Sequence, residues 1–270
     1  MTDNQKLFAK YLEILEIEKD PPSLELLRKI VKSHLKKIPF ENISKLLYKK
    51  KGMLDIPDLQ LYLSGIKKHH FGGTCYSINY YLYLLLEYLG FNIKLCGADM
   101  RNPDVHLISM VNVEDKEFIV DCGYAAPFLE PLPRDLPEDF VINFGDEKYI
   151  LKPQNKDGTS KVEQFYKEEL KHWYTAKPKA RHNNEFKKVV KDSYDDNALF
   201  MNALLITKFS DKYSVSIRNL SITEISDEKV LIRKITKVDI PTLANEKFGM
   251  PEDLVAETIS GLESLKDIYS

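Results

Sequence analysis

The sequence predicts an α+β fold whose helices and strands are segregated along the chain. Three observations carry that expectation. Apolar residues in the first third recur at helical spacing. In the middle they fall into short β-prone runs bounded by turn residues. A late set of strands is then followed by terminal helices, an order that favours separate layers over a doubly wound sheet.

Each element follows from local chemistry. Leu7, Phe8, Tyr11, Leu12 and Leu15 share one helix face. Pro21-Pro22-Ser23 interrupts, and Ser23 can cap a second helix. That helix carries Leu24, Leu27, Ile30, Val31, His34, Leu35 and Ile38, and Pro39 stops it. Lys49 to Gly52 reads as a basic loop. Pro57 and Asp58 open a short helix with Leu59, Leu61, Leu63 and Ile66. After Gly72-Gly73 a strong helix runs from about Cys75 to Leu89, closed by Gly90. Ile93 to Cys96, Leu107 to Val113 and Phe118 to Cys122 read as strands, with a hairpin loop at Glu114-Asp115-Lys116-Glu117. Pro127, Pro131, Pro133 and Pro137 mark an irregular crossing. Phe140 to Ile142 and Lys148 to Leu151 continue the strands, and residues 163 to 173 read as including a helical turn. Leu204 to Phe209, Tyr213 to Leu220 and Val230 to Ile235 form the late strands. Helices over Ile240 to Phe248 and Glu252 to Ile268 follow.

Composition narrows the function. At 43% hydrophobic and 30% charged, the 270-residue chain has the balance of a folded protein. Net charge is −2, so no basic stripe points to nucleic acid. The longest apolar run, Tyr80 to Leu86, ends at Glu87, too short for a span of ~20 residues. No membrane partner is expected. The first twenty residues carry charges throughout and no apolar signal core, so a cytoplasmic location is expected. The three cysteines, Cys75, Cys96 and Cys122, form no C-x-x-C pair, so no metal is expected. The absence of G-x-G-x-x-G and P-loop patterns removes the usual support for dinucleotide or nucleoside triphosphate binding.

Cys75 carries the clearest chemical signal. It follows Phe71-Gly72-Gly73-Thr74 at the start of a helix. Free N–H groups and the partial positive charge there stabilise a thiolate. His106 opens one apolar strand and Asp121 closes the next, at positions whose parity points both side chains to one face. A carboxylate could then orient the imidazole, and the imidazole could take the thiol proton. A turn centred on Asp115-Lys116 leaves Asp121 four residues along the sheet from His106, roughly 13 Å at strand rise. A shifted turn or a bulge is needed to bring them together.

These residues carry a resemblance. Gly72-Gly73-Thr74-Cys75, Val105-His106-Leu107 and Val120-Asp121-Cys122-Gly123 resemble, in order and spacing, the hallmarks of the arylamine N-acetyltransferase family. A further family hallmark stands here as Pro39-Phe40-Glu41-Asn42. Pro127 to Pro133 and Phe200-Met201-Asn202 also fit, so the resemblance runs from about residue 6 to residue 250. One position departs. The Arg that the family places before Gly-Gly is Phe71 here, so Glu41 needs another partner, for which Lys67, Lys68, His69 and His70 are near in sequence.

The resemblance implies an acyltransferase in which Cys75, His106 and Asp121 are catalytic. It implies ping-pong transfer from acetyl-CoA, as co-substrate, through acetyl-Cys75 to an arylamine, hydrazine or arylhydroxylamine. Phe40, Tyr76, Tyr124 and Phe200 match positions lining the family's acceptor pocket, and Val105 matches one at the CoA-facing lip. The scaffold is similar to papain-like and transglutaminase-like cores, so a thiol hydrolase or an amide synthase stays open. So does a non-catalytic binding protein, on the strength of Phe71 alone. Monomer and homodimer are both left open. The expected division is a helical bundle over 1–90 carrying the nucleophile, a β-barrel-like domain over 91–203 carrying His106 and Asp121, and an α/β lid over 204–270.

Overall fold

Residues 3–226, 229–263 and 265 of the chain are described by a computed structural model. The first third is helical, as the apolar spacing requires: α1 (Asp3–Leu15), α2 (Leu24–Lys37), a two-residue strand β1 (Phe40–Glu41), α3 (Ile43–Lys50), α4 (Leu59–His69) and α5 (Cys75–Tyr88). The Ser23 hydroxyl accepts from Leu26 N and caps α2, and Asp58 caps α4 in the same way through Leu61 N. Helix α3 corrects the reading of Lys49 to Gly52 as loop. Lys49 and Lys50 form its last turn, where cations meet the negative end of the helix dipole, and only Lys51-Gly52 remains a turn. Gly90, at φ 91°, takes the left-handed position after α5.

The middle of the chain builds an antiparallel sheet that curls into a half-barrel. Its strands are β2 (Asn92–Asp99), β3 (His106–Val113), β4 (Lys116–Val120), β5 (Leu132–Pro133), β6 (Phe140–Phe144), β7 (Glu147–Leu151), β8 (Ser160–Tyr166) and β9 (Glu169–Ala180). They are ordered β5-β4-β3-β2-β9-β8-β7-β6. The helical turn expected within 163–173 is instead the β8–β9 hairpin. Lys167 and Glu168 both sit at positive φ, 48° and 65°, the two-residue turn that matches strand twist. Alternating burial at Ser160, Val162 and Gln164 sets the period of two.

Beyond a short 3₁₀ turn and α6 (Lys187–Asp192) and α7 (Leu199–Asn202), a second sheet runs β10 (Leu205–Phe209), β11 (Tyr213–Arg218), β12 (Ser221–Ser226) and β13 (Lys229–Lys234). Strand β1 pairs with β10, so the Pro39-Phe40-Glu41-Asn42 segment ties the first third to the last. Helices α8 (Asp239–Phe248) and α9 (Glu252–Ile259) follow. Helix α9 is shorter than the run to Ile268 that its apolar spacing suggests. It ends at Ile259, with turn residues at Ser260 and Gly261, and Ile268 lies outside the described residues.

Two apolar clusters form the core and meet at α5. Ile78, Tyr81, Leu82, Leu85 and Leu86 pack with α1, α2, α4 and the barrel strands. Cys75 and Tyr76, at the N-terminal end, pack with Phe71, Leu107, Phe186, Val190 and Tyr194. Helix α5 lies on β3 and β2, which sets its first turn against the start of β3. No helix among the described residues is long and apolar enough to cross a membrane.

Candidate active site

The hairpin register decides whether His106 and Asp121 can meet. The β3–β4 turn is Glu114-Asp115, at φ 52° and 59°, with Val113 opposite Lys116 and Ser109 opposite Val120. This is one residue earlier than the turn expected at Asp115-Lys116. The shift halves the offset, since Asp121 now falls two positions from His106 rather than four. Same-face neighbours at that offset are within reach of long side chains. His106 Nε2 donates to Asp121 Oδ2 at 2.8 Å.

Both groups are buried, His106 to 1% and Asp121 to 2% exposure. Burial alone would lower the His106 pKa. The charge and hydrogen bond of Asp121 outweigh burial, and a hydrogen bond with Cys75 adds to them, so it is raised to about 10. With Nε2 committed to Asp121, the contact with the thiol falls to Nδ1. The structure thus brings Cys75, His106 and Asp121 into one buried chain of contacts.

Asp121 accepts more than the imidazole. Asn79 Nδ2 donates to its Oδ1 at 2.8 Å, and Gly123 N donates to the same oxygen at 3.0 Å. Asn79 also donates to Leu107 O and accepts from Cys122 N at 3.0 Å. It stands one turn after Cys75 on α5, so a single amide fixes the helix to both strands. Sequence reasoning missed Asn79; the available signal was a lone amide four residues after Cys75 in an apolar helix. Gly123 is required by contact. A Cβ there would lie 2.7 Å from Cys75 Cα and 2.8 Å from Asn79 Nδ2.

The Pro39-Phe40-Glu41-Asn42 segment supports the nucleophile turn. Gly72 lies so close to the Pro39 carbonyl that no Cβ fits between them. Glu41 N donates to Gly73 O at 3.0 Å. The buried Glu41 carboxylate accepts from Ser44 Oγ at 2.6 Å, Ser44 N at 2.8 Å and Gly72 N at 3.1 Å. None of Lys67, Lys68, His69 or His70 takes the place of the Arg; Lys67 instead faces Glu13. Burial raises the Glu41 pKa, against the pull of those hydrogen bonds. Asn42 Nδ2 donates to Phe200 O at 2.8 Å and Ala203 O at 2.7 Å, anchoring the segment around α7.

The other expected site residues form three small groups. Phe40 and Phe200 have ring centroids 5.7 Å apart. Tyr76 donates its hydroxyl to Val105 O at 3.0 Å, which holds the residue before His106. Tyr124 sets its ring 5.7 Å from His106 and shares a 2.7 Å hydrogen bond with His172 Nδ1. His172 was not anticipated. Burial, with the His106 and Arg101 charges adding, brings its pKa down to about 4. A cavity of about 740 Å³ opens between the second sheet and β7–β9, and Ala125, next to Tyr124, lies in its wall. Thr207, Ser214 and Ser216 line one side, with Lys171, Arg218 and Lys234 also around it. Among the described residues, no group of three or more His, Cys, Asp or Glu could hold a metal ion.

A thiol at a helix start, an imidazole and a carboxylate thus stand together on an α+β scaffold. A family model described as N-acetyltransferase matches residues 23–255. The chain is 29% identical over 117 residues to Proansamycin X synthase from Amycolatopsis mediterranei, covering 40% of this chain and 45% of that protein. It is 31% identical over 125 residues to an arylamine N-acetyltransferase pineal gland isozyme from Gallus gallus, covering 43% of this chain and 42% of that one. The matched stretch is thus less than half the length of each. The arylamine N-acetyltransferase structure from Nocardia farcinica shares the fold, with TM-score 0.79 and 22% identity over 95% of each chain. The chain belongs to the arylamine N-acetyltransferase family.

Proposed function

We propose that this chain transfers an acetyl group from acetyl-CoA to an arylamine, hydrazine or arylhydroxylamine through acetyl-Cys75. One observation carries the reading: a buried Cys75–His106–Asp121 chain of contacts at the first turn of α5. In the first half-reaction the Cys75 sulfur attacks the thioester carbonyl. A carbon–sulfur bond to Cys75 forms, the one to CoA breaks, and His106 hands its proton to the leaving thiolate. In the second the acceptor nitrogen attacks acetyl-Cys75. The carbon–nitrogen bond forms, the Cys75 thiolate leaves, and His106 takes the proton from nitrogen.

Asp121 holds the imidazole and favours its charged form. Thr74 offers no side-chain cap, which leaves first-turn N–H groups of α5 to meet the developing oxyanion. Phe40, Tyr76, Tyr124 and Phe200 would face the acceptor, with Val105 at the donor side. The cavity beside Ala125 has the volume of a ligand site. We assign the three-part division at residues 90 and 203 to these roles: nucleophile, base and orienting carboxylate, lid.

A second reading, an amide synthase on the same scaffold, draws on the likeness to Proansamycin X synthase. There the acyl-Cys75 would be captured by an amine tethered to the same acyl chain. The test is a screen that follows free CoA released from acetyl-CoA with a panel of arylamines and hydrazines, with mass spectrometry of Cys75. Acceptor-dependent release and an acetylated Cys75 are expected. Neither appearing would remove the transferase reading.

A further inference from the structure

Lys45 is the most unusual charged group near the site. It lies on α3 and is 5% exposed. A lysine buried for its stem alone would turn its amine to water. Here the amine is enclosed. Lys45 Nζ donates to Ser193 Oγ, whose own proton goes to Val190 O. It stands 4.2 Å from the Tyr194 ring centroid and 5.5 Å from that of Tyr76. Among the described residues no carboxylate lies within 4.0 Å of it.

The enclosure belongs to the nucleophile turn. The small space around Lys45 is walled by Gly73, Thr74, Tyr76 and Ser77, the residues that flank Cys75, and by Ser44 of α3. Titratable groups approach from each packed element. Lys49 and Tyr48 share α3, Cys75 and Tyr76 come from α5, and Asp192 and Tyr194 come from α6 and the turn after it. Asp192 is engaged by Lys188 at 2.6 Å. Burial lowers the Lys45 pKa to about 8 and Lys49 adds to that, while the Cys75 thiolate opposes both. A buried ammonium with a hydroxyl and two ring faces still needs an anion. The turn that walls the enclosure is the one that carries the Cys75 thiol.

We propose that Lys45 is a positioning residue for the nucleophile: its buried ammonium is the charge partner that helps keep Cys75 ionised. The inference rests on the reading of Cys75 as the reactive thiol. It adds a cation outside the His106–Asp121 pair. The coupling is reciprocal. The thiolate favours the ammonium, and capping the thiol removes that support.

The test follows alkylation of Cys75 by iodoacetamide against pH, in wild type and Lys45→Met. The acid limb should move to higher pH, with alkylation there about tenfold slower, as expected for loss of one nearby opposite charge. Lys45→Arg should restore part of it. A folded Lys45→Met protein whose profile superposes on wild type overturns the proposal. Wild type alone gives a second measurement, independent of whether the variant folds. NMR titration of carbon-labelled lysine Cε, before and after capping Cys75, should show Lys45 deprotonating at lower pH once capped; no movement overturns the proposal. The two readings fail differently. Cys75 alkylated no faster than Cys96 and Cys122 would sink the nucleophile itself. Selective alkylation of Cys75 with no dependence on Lys45 would sink only the charge partner.

Discussion

At the scale of single residues, Asp121 has the most to lose from a one-atom change. Asp121→Asn keeps the shape but removes the charge that raises His106. The imidazole then loses its preference for the charged form, so acylation by acetyl-CoA should slow roughly a thousandfold, within the range such substitutions reach. Circular dichroism should be unchanged. A near-normal burst of CoA release would mean that the carboxylate only closes the strand. Cys75→Ala should abolish CoA release altogether. Cys96→Ala should keep it, because Cys96 is a fully buried packing residue of β2 whose thiol is pushed up to about 11 by burial. The thiol, imidazole and carboxylate were legible in the sequence because each sits in a short motif beside glycines or a strand end. Asn79 was not. Its partners, Leu107 O, Asp121 and Cys122 N, come together only when α5 lies on the β3–β4 hairpin. A single amide in an apolar helix does not announce three long-range hydrogen bonds.

At the scale of elements, one residue of turn placement separates a working geometry from a failed one. The sequence around Glu114 to Glu117 offers several turn positions, and all four residues are polar. Both turns keep Val111, Val113 and Phe118 on one buried face; the turn at Glu114-Asp115 sets Val111 directly opposite Phe118. Helix α3 was hidden for a related reason. Its buried face includes Ser44, which bonds Glu41 just before the helix, and Lys45, whose partner Ser193 lies far along the chain, so its apolar period is broken. The β8–β9 hairpin was hidden by charged residues on both sides of its turn. Strand β12 was hidden by its polar alternate face. Gly123, just beyond β4, packs its backbone directly against the first turn of α5. Gly123→Ala would force the new methyl against Cys75 Cα, which is backbone and has little room to yield. Overpacking of that kind costs about 1–3 kcal/mol. The variant should melt at lower temperature and, because α5 is displaced at its first turn, alkylate Cys75 more slowly. A variant that melts with wild type and keeps its alkylation rate would show that the helix start can shift freely.

At the scale of the whole molecule, two buried histidines pull stability in opposite directions with pH. His34 lies in the helical cluster, fully buried, with Nε2 against the Tyr11 hydroxyl at 2.9 Å and Nδ1 without a hydrogen-bond partner. Burial lowers its pKa to about 3, against an unfolded value near 6.5. The folded chain therefore binds fewer protons than the unfolded one below that value. The stability His34 contributes is present above about 6.5 and is lost as pH falls toward 3. His106 has the reverse sign. Held charged by Asp121, it contributes stability that is fully present below about 6.5 and is lost as pH rises through about 10. The acid side of the stability curve should therefore depend on His34 and the alkaline side on His106. Urea titrations of wild type and His34→Gln across acid pH would separate them. Glutamine stays neutral and can still accept from Tyr11, so its stability should fall less steeply between about 6.5 and 3. Parallel acid limbs for the two proteins would mean that His34 charges inside the fold, and that the cluster around Tyr11 admits water.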